Sequence, residues 1–114
     1  MIKVDIFRKN NNIYKFTVKG HADYAEEGSD IVCSAVSVLV INTINAVETF
    51  TDEGVKAEAD NENGGFIDYC LTDIEKGSES HDAQLLLEAM VLGLKSIENE
   101  YYRYIKVNDK GGRM

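Results

Sequence analysis

The chemistry that this chain could perform centres on one histidine and one cysteine, His21 and Cys33, which lie twelve positions apart. An imidazole beside a thiol can take its proton and later protonate a leaving amine, so this pair could hydrolyse a peptide bond. The only other histidine and cysteine are Cys70 and His81. The four side chains together have the composition of a Cys2His2 zinc site, but none of their spacings has the close pairing typical of zinc ligands.

Cys33 lies near the start of a long apolar segment, residues 30–50. Its valines and isoleucines favour a strand, but about twenty residues without a turn signal exceed the usual length of a strand. Ser29 or Asp30 is a natural N-cap, so we predict a buried helix with Cys33 in its first turn. The unpaired amides and the positive dipole end of that turn would stabilise a thiolate, and its backbone N–H groups, including that of Cys33, could form an oxyanion hole.

Each of these residues also has a purely structural interpretation. A cysteine on an apolar helix is more often a small core residue than a nucleophile, and spacing alone does not establish that a cysteine and a histidine meet. We expect Cys70 to be a structural residue on a strand, facing the same side as Phe66 and Asp68. We expect His81 to be solvated near the start of a second helix.

The elements that must position these residues form two similar halves, each a hairpin followed by a helix. Apolar and polar residues alternate in both hairpins, and the turns KNNN and Asn63-Gly64-Gly65 are rich in residues that accept left-handed backbone angles. The predicted strands are residues 2–8, 13–19, 55–62 and 66–73, and the second predicted helix is residues 82–104.

The fold class that follows is α+β, in the order ββαββα, with an antiparallel sheet covered by two long helices. Residues 105–108 could add a short strand at the end of the chain, which the pattern leaves open. In this arrangement His21 ends the second strand, so the sheet could hold its imidazole over the start of the first helix.

Length and charge restrict the partners. A chain of 114 residues fits one domain, which we place at residues 1–108 with a flexible tail at 109–114. The net charge of -8 argues against direct nucleic-acid binding and is compatible with a basic peptide or protein. We find neither a signal peptide nor an apolar run of the about 18 residues that span a bilayer, so we expect a cytoplasmic protein with no membrane partner, whose cysteines are thiols.

Two short segments carry a resemblance to a known family. The order of the predicted elements and the length of the chain match that family as well, so the resemblance covers essentially the whole chain. Gly20-His21-Ala22 and the GSDIVCSAVS segment of residues 28–37 resemble the ribosomal-processing cysteine protease family, called Prp. The resemblance implies a homodimeric cysteine endopeptidase that needs no cofactor. Its implied substrate is the bacterial large-subunit ribosomal protein twenty-seven, from which members remove an N-terminal extension. The alternative is a non-catalytic ribosome-associated binding or assembly factor that retains the fold.

The resemblance also implies a role for each matching residue. His21 matches the general base and Cys33 the nucleophile, while Asp30 and Ser37 match supporting positions around them. The segment between the two catalytic positions could close over the site as a lid, with a glycine as its hinge. The residues expected to contact the substrate from this loop are Gly20, Ala22, Gly28 and Ser29.

Overall fold

A computed structural model describes residues 1–20, 29–60 and 65–110 of the chain. The described residues form one five-stranded sheet, with the spatial order β3-β4-β2-β1-β5, and three helices. The elements in chain order are β1 (Ile2–Lys9), β2 (Asn12–Lys19), α1 (Ser29–Phe50), β3 (Val55–Asp60), β4 (Phe66–Leu71), α2 (Thr72–Glu75), α3 (His81–Glu100) and β5 (Ile105–Lys110).

The first hairpin forms where the alternating pattern and the asparagines predict it. β1 and β2 pair antiparallel, and a two-residue turn of Asn10 and Asn11 joins them. Both asparagines have positive φ angles, 52° and 68°, which asparagine tolerates better than most residues. In the second hairpin β3 and β4 also pair antiparallel, whereas the predicted Asn63-Gly64 turn lies outside the described residues.

The α+β class is confirmed, but the sheet is mixed rather than purely antiparallel. β5 pairs with β1 in parallel, from Ile2 opposite Ile105 to Phe7 opposite Lys110. The predicted helix 82–104 ends earlier, at Glu100, and the chain turns before it enters the sheet beside β1. β5 also extends to Lys110, two residues into the segment predicted as a tail. Local patterning identified a possible strand here but could not reveal its non-local partner.

α1 and α3 cover one face of the sheet and pack against each other. α1 directs four valines into the core: Val32, Val36, Val40 and Val47. A Cβ placed on Gly93 of α3 would lie 2.7 Å from a methyl carbon of Leu39, so glycine at this position lets the two helices approach closely. α3 contacts one flank of α1, and the opposite flank of α1 faces β4 and β3.

By length and composition α1 could cross a bilayer, because its mean hydropathy between Ile31 and Phe50 is 1.8. This corrects the expectation that no segment is long and apolar enough. The polar residues that interrupt the run, such as Asn42 and Thr43, carry no charge and lower the average only slightly. A core helix meets the same criterion, and α1 contributes its buried valines to the core of this domain.

A buried arginine joins the sheet to α3, and nothing in our sequence analysis identified it. Arg8 follows Ile2, Val4 and Ile6 on the helix-facing side of β1, and its side chain is only 2% exposed. Its guanidinium donates two hydrogen bonds of 2.8 Å to the Glu88 carboxylate. It donates two more to the Asp109 carboxylate, at 2.7 and 3.0 Å, so one cation satisfies two acids from different elements.

Candidate active site

Cys33 lies in the wall of a pocket of about 150 Å³ at the end of the sheet where α1 begins. Val36 and Ser37, from the next turn of α1, line the same pocket. Cys33 and Ser37 are four residues apart and therefore occupy one side of the helix. The structure thus brings together three of the predicted site residues: the proposed nucleophile, its supporting residue Ser37, and Gly20, which lines the same pocket.

Two glycines bring the strand ends together at the mouth of this pocket. The Gly20 amide donates a 3.1 Å hydrogen bond to the Gly65 carbonyl, which links the end of β2 to the start of β4. Gly20 has a φ of 90°, and a Cβ there would lie 2.6 Å from the carbonyl oxygen of Met1. Both the backbone angle and the close approach therefore require glycine at position 20.

The floor of the pocket is apolar and comes from residues that sequence analysis did not connect with Cys33. Val18 of β2 and Ile67 of β4 lie opposite each other in the sheet, and both line the pocket together with Phe66. The Gly64-Gly65 pair marked a turn but gave no sign that the strand after it passes beneath α1. That placement depends on the pairing of β2 with β4, which is a non-local contact.

The start of α1 corrects one prediction about Cys33. The helix begins at Ser29, so Cys33 is its fifth residue rather than the third or fourth. The amides left unpaired at a helix start belong to its first turn, and a fifth residue donates its own amide within the helix. Cys33 therefore does not supply an oxyanion-hole donor from its backbone, and the helix dipole acts on its sulfur across a full turn.

The predictions about His21, Ala22 and Gly28 fall on residues outside the described part of the chain, as do residues 22–28 of the lid predicted at residues 22–29. Ser29 and Asp30 are the first two residues of α1, so neither occupies the N-cap position predicted for it, and their side chains are outside the described part as well. The contact between Cys33 and His21 also stays a prediction, because the structure describes Cys33 but not His21.

The other cysteine and histidine lie where they were expected. Cys70 is on β4, opposite Lys15 of β2, and burial together with the nearby Glu75 carboxylate raises the pKa of its thiol. The His81 side chain, at the start of α3, is 87% exposed and lies 3.3 Å from the Asp82 carboxylate. Within the described ranges, no three or more histidine, cysteine or acidic side chains are grouped as metal ligands would be.

We expect brief alkylation near pH 6.5 to label Cys33 faster than Cys70. Both thiols are half-buried, so access is comparable, but the raised pKa of Cys70 reduces its reactive thiolate. Each unit by which a thiol pKa lies above that of its competitor reduces the thiolate population about tenfold. Peptide mapping after iodoacetamide treatment measures the two rates. Equal labelling of Cys33 and Cys70 would show that Cys33 is no more reactive than a structural thiol on a strand.

Residues 1–106 match the model of the family described as cysteine protease Prp. The ribosomal processing cysteine protease Prp of Staphylococcus aureus strain Mu50 is 34% identical over 111 residues, covering 96% of this chain and all of that protein. The Bacillus subtilis protein of the same name is 33% identical over 114 residues, covering 94% of this chain and 96% of that protein.

Two solved structures share the fold. A Streptococcus mutans protein superposes with a TM-score of 0.85 at 32% identity, over 96% of this chain and 93% of that one. The essential ribosomal processing protease Prp from S. aureus, solved with a covalently linked product peptide, has a TM-score of 0.80 at 32% identity, over 96% of this chain and 100% of that one. With its cysteine-lined pocket and a family match over nearly its whole length, this chain belongs to the cysteine protease Prp family.

Proposed function

We propose that this chain cleaves a peptide bond with Cys33 as nucleophile and His21 as general base. The observation that carries the proposal is the position of Cys33 in the wall of an apolar pocket at the end of the sheet. His21 follows Gly20 directly in sequence, and Gly20 lines the same pocket. The S. aureus relative that was solved with a covalently linked product peptide supports covalent chemistry at this site.

The proposed reaction proceeds through a thioester. His21 takes the proton of Cys33, and the sulfur attacks the scissile carbonyl carbon to form a tetrahedral intermediate. The C–N bond then breaks as the imidazolium returns its proton to the leaving amine, so that the amine product departs. Water, deprotonated by the same imidazole, attacks the thioester, releases the acid product and restores the thiol.

Ser37 and Asp30 have supporting roles in this proposal. Ser37 lines the pocket one turn after Cys33, so its hydroxyl could donate a hydrogen bond to the sulfur or to the substrate. Asp30 is the second residue of α1, where a carboxylate is favoured by the positive end of the helix dipole and would help to hold the first turn in place. The hydrogen-bond donors that stabilise the oxyanion would be groups other than the Cys33 amide, because that amide already donates its hydrogen bond within α1.

We further propose that the substrate is the N-terminal extension of large-subunit ribosomal protein twenty-seven. The relatives are named for ribosomal processing, and the resemblance in the segments around His21 and Cys33 implies this particular protein. A net charge of -8 suits a basic mature substrate. Incubation of the protein with a peptide that spans the extension junction, followed by mass spectrometry, tests the proposal. A peptide that is bound but left intact would instead support a non-catalytic ribosome-associated binding or assembly factor.

We also propose that the protein acts as a homodimer in the cytoplasm, where ribosomal proteins are processed. The support for a dimer is the outward side of α1, where Ile31, Val38 and Ile41 are 59%, 69% and 51% exposed. These residues are seven and three positions apart, so they lie on one side of the helix, as residues that pack against another helix do. A second copy of the chain would remove this apolar side from water.

Sedimentation of a Val38→Glu, Ile41→Glu variant tests this surface. Two carboxylates in an apolar helix contact would be desolvated without partners, so we expect the variant to be monomeric. A Leu85→Glu, Leu92→Glu variant is the control, because it places two carboxylates at similarly exposed positions of α3, 61% and 70% exposed, and should leave the dimer intact. A dimer that survives both carboxylates on α1 would show that the two copies meet elsewhere.

A further inference from the structure

Among residues 1–20, 29–60 and 65–110, none covers the edge strand β3 on the side that faces the helices. Ala57 and Ala59 pair with Tyr69 and Ile67 of β4, so they point to the same side of the sheet as those two core-facing residues. Tyr69 is completely buried, whereas both alanines are exposed. Within the described residues, the helical layer therefore stops above β4 and leaves a step beside it.

One flank of α1 forms the wall of this step. Cys33, Ser37, Ile44 and Glu48 follow one another at spacings of four, seven and four, which places them along one side of a helix. α3 packs against the opposite flank, where Leu39 lies. The flank that begins at Cys33 is therefore the one that faces β4 and β3.

A buried hydroxyl beside the step has no partner among the described residues. The Tyr69 ring stacks on Phe16 with a centroid distance of 5.3 Å, and its hydroxyl has no hydrogen-bond partner. Burial, and then the Glu48 carboxylate, raise the pKa of Tyr69 to about 12. The hydroxyl is therefore within electrostatic reach of the α1 flank. A buried donor without a partner is uncommon in proteins, and a peptide that displaces the side chains covering the hydroxyl could supply the missing acceptor.

We propose that the channel between this flank of α1 and the exposed alanines of β3 binds the extended part of a peptide substrate that leads away from Cys33. The proposal rests on the proposed proteolytic function. We infer a peptide substrate as the occupant because the channel continues from the active-site pocket. Cys33 and Ser37 line the pocket and also form part of the channel wall, and Ile67 lines the pocket and borders the channel. Alanine at positions 57 and 59 leaves room above the strand for the apolar side chains of such a peptide.

The length of the channel predicts how many substrate residues it holds. Glu48 lies fifteen positions after Cys33, and a helix rises about 1.5 Å per residue, so the flank is about 22 Å long. An extended peptide advances about 3.3 Å per residue, so the channel accommodates about seven residues on one side of the scissile bond. We expect affinity to increase with peptide length on that side up to about this number and then to level off.

Peptide binding to Ala57→Phe and Glu58→Phe variants, each combined with Cys33→Ala to prevent turnover, tests the channel. Phenylalanine suits a strand at either position, but only at position 57 would it fill the channel. Fluorescence anisotropy with a long and a truncated peptide measures binding. We expect Ala57→Phe to weaken binding of the long peptide at least about tenfold, which corresponds to the loss of one apolar side-chain contact. Binding of the truncated peptide should not change. Glu58→Phe, on the opposite face of the same strand, should change neither.

Tyr69→Phe provides a second measurement that does not depend on filling space. It should weaken the long peptide about fivefold, the amount expected for one hydrogen bond, and leave the thermal midpoint of the free protein unchanged or higher. A hydroxyl that merely serves the core would instead lower the thermal midpoint and affect both peptides equally.

The outcomes separate this inference from the proposed function. Cleavage of the truncated peptide by the wild-type protein, dependent on Cys33, supports the protease whatever happens in the channel. Long-peptide affinity that is the same with and without Ala57→Phe would overturn the channel alone. Loss of the dimer in Ala57→Phe, with long-peptide binding retained, would show that a second copy occupies the channel and would also overturn the inference.

Discussion

Replacement of Cys33 by alanine should reduce cleavage of the junction peptide to the uncatalysed background. No other atom at this position can form the thioester, so the loss should be complete rather than partial. His21→Ala removes the general base, whose contribution is typically a factor of about 10²–10⁴. Rates from mass spectrometry, measured alongside thermal unfolding, distinguish lost chemistry from lost folding.

Cys70→Ala is the matched control for the nucleophile. It removes the second thiol from a strand position of similar exposure and should leave cleavage unchanged. Turnover by a folded Cys33→Ala protein would exclude cysteine catalysis. Chelators should have no effect on the wild-type protein, and activity that zinc restores after chelation would favour a metal mechanism instead.

The parts of the fold that the sequence predicted depend on neighbouring residues. The turn at Asn10 and Asn11, both hairpins and the two long helices follow from alternation, turn chemistry and helical spacing. The parallel pairing of Ile2 with Ile105 could not be predicted in this way, because the two strands are separated by almost the whole chain. Periodicity identifies which side of a strand is apolar, but it does not identify the strand beside it.

The same distinction applies to the candidate site. Cys33 and Ser37 were predicted together because one helix carries both, and the structure places both in one pocket. Ile67 in the floor was not predicted, since its approach to Cys33 depends on how β4 pairs with β2. The start of α1 was predicted one or two residues too late, because Ser29 and Asp30 are both typical cap residues, whereas the structure includes both in the helix.

Arg8 is the most important structural residue that the sequence did not predict, and its contribution to stability can be tested directly. Its partners Glu88 and Asp109 lie 80 and 101 positions away, so no local pattern could connect them. We expect Arg8→Met to lower the free energy of unfolding by about 3–5 kcal/mol, because the partly buried Glu88 and Asp109 carboxylates both lose the guanidinium that they share. For a domain of this size the thermal midpoint should fall by about 12–20 °C.

The matched control is Lys15→Met, which removes a more exposed partner of an ion pair. Lys15 lies 3.4 Å from the Asp68 carboxylate, and both side chains are about a third exposed (32% and 27%). An exposed pair of this kind contributes less than about 1 kcal/mol. A similar loss of stability in both variants would mean that the Arg8 cluster has no special role. A triple variant with Arg8→Met, Glu88→Leu and Asp109→Leu should recover much of the loss, since no buried charge is then left unpaired.

The pH dependence of stability gives an independent test of the same cluster. Hydrogen bonds from Arg8, followed by that from Lys95, hold the pKa of Asp109 below its ordinary value of about 4. A lowered pKa means that the folded protein binds the proton less readily than the unfolded chain does. The contribution of Asp109 to stability is therefore fully present above pH 4 and is lost as the pH falls through its folded pKa.

Asp109→Asn should accordingly differ most from the wild type in urea unfolding near neutral pH, and the difference should shrink as the pH is lowered below 4. A difference that stays constant from pH 7 to pH 2 would show that the charge of Asp109 does not stabilise the fold.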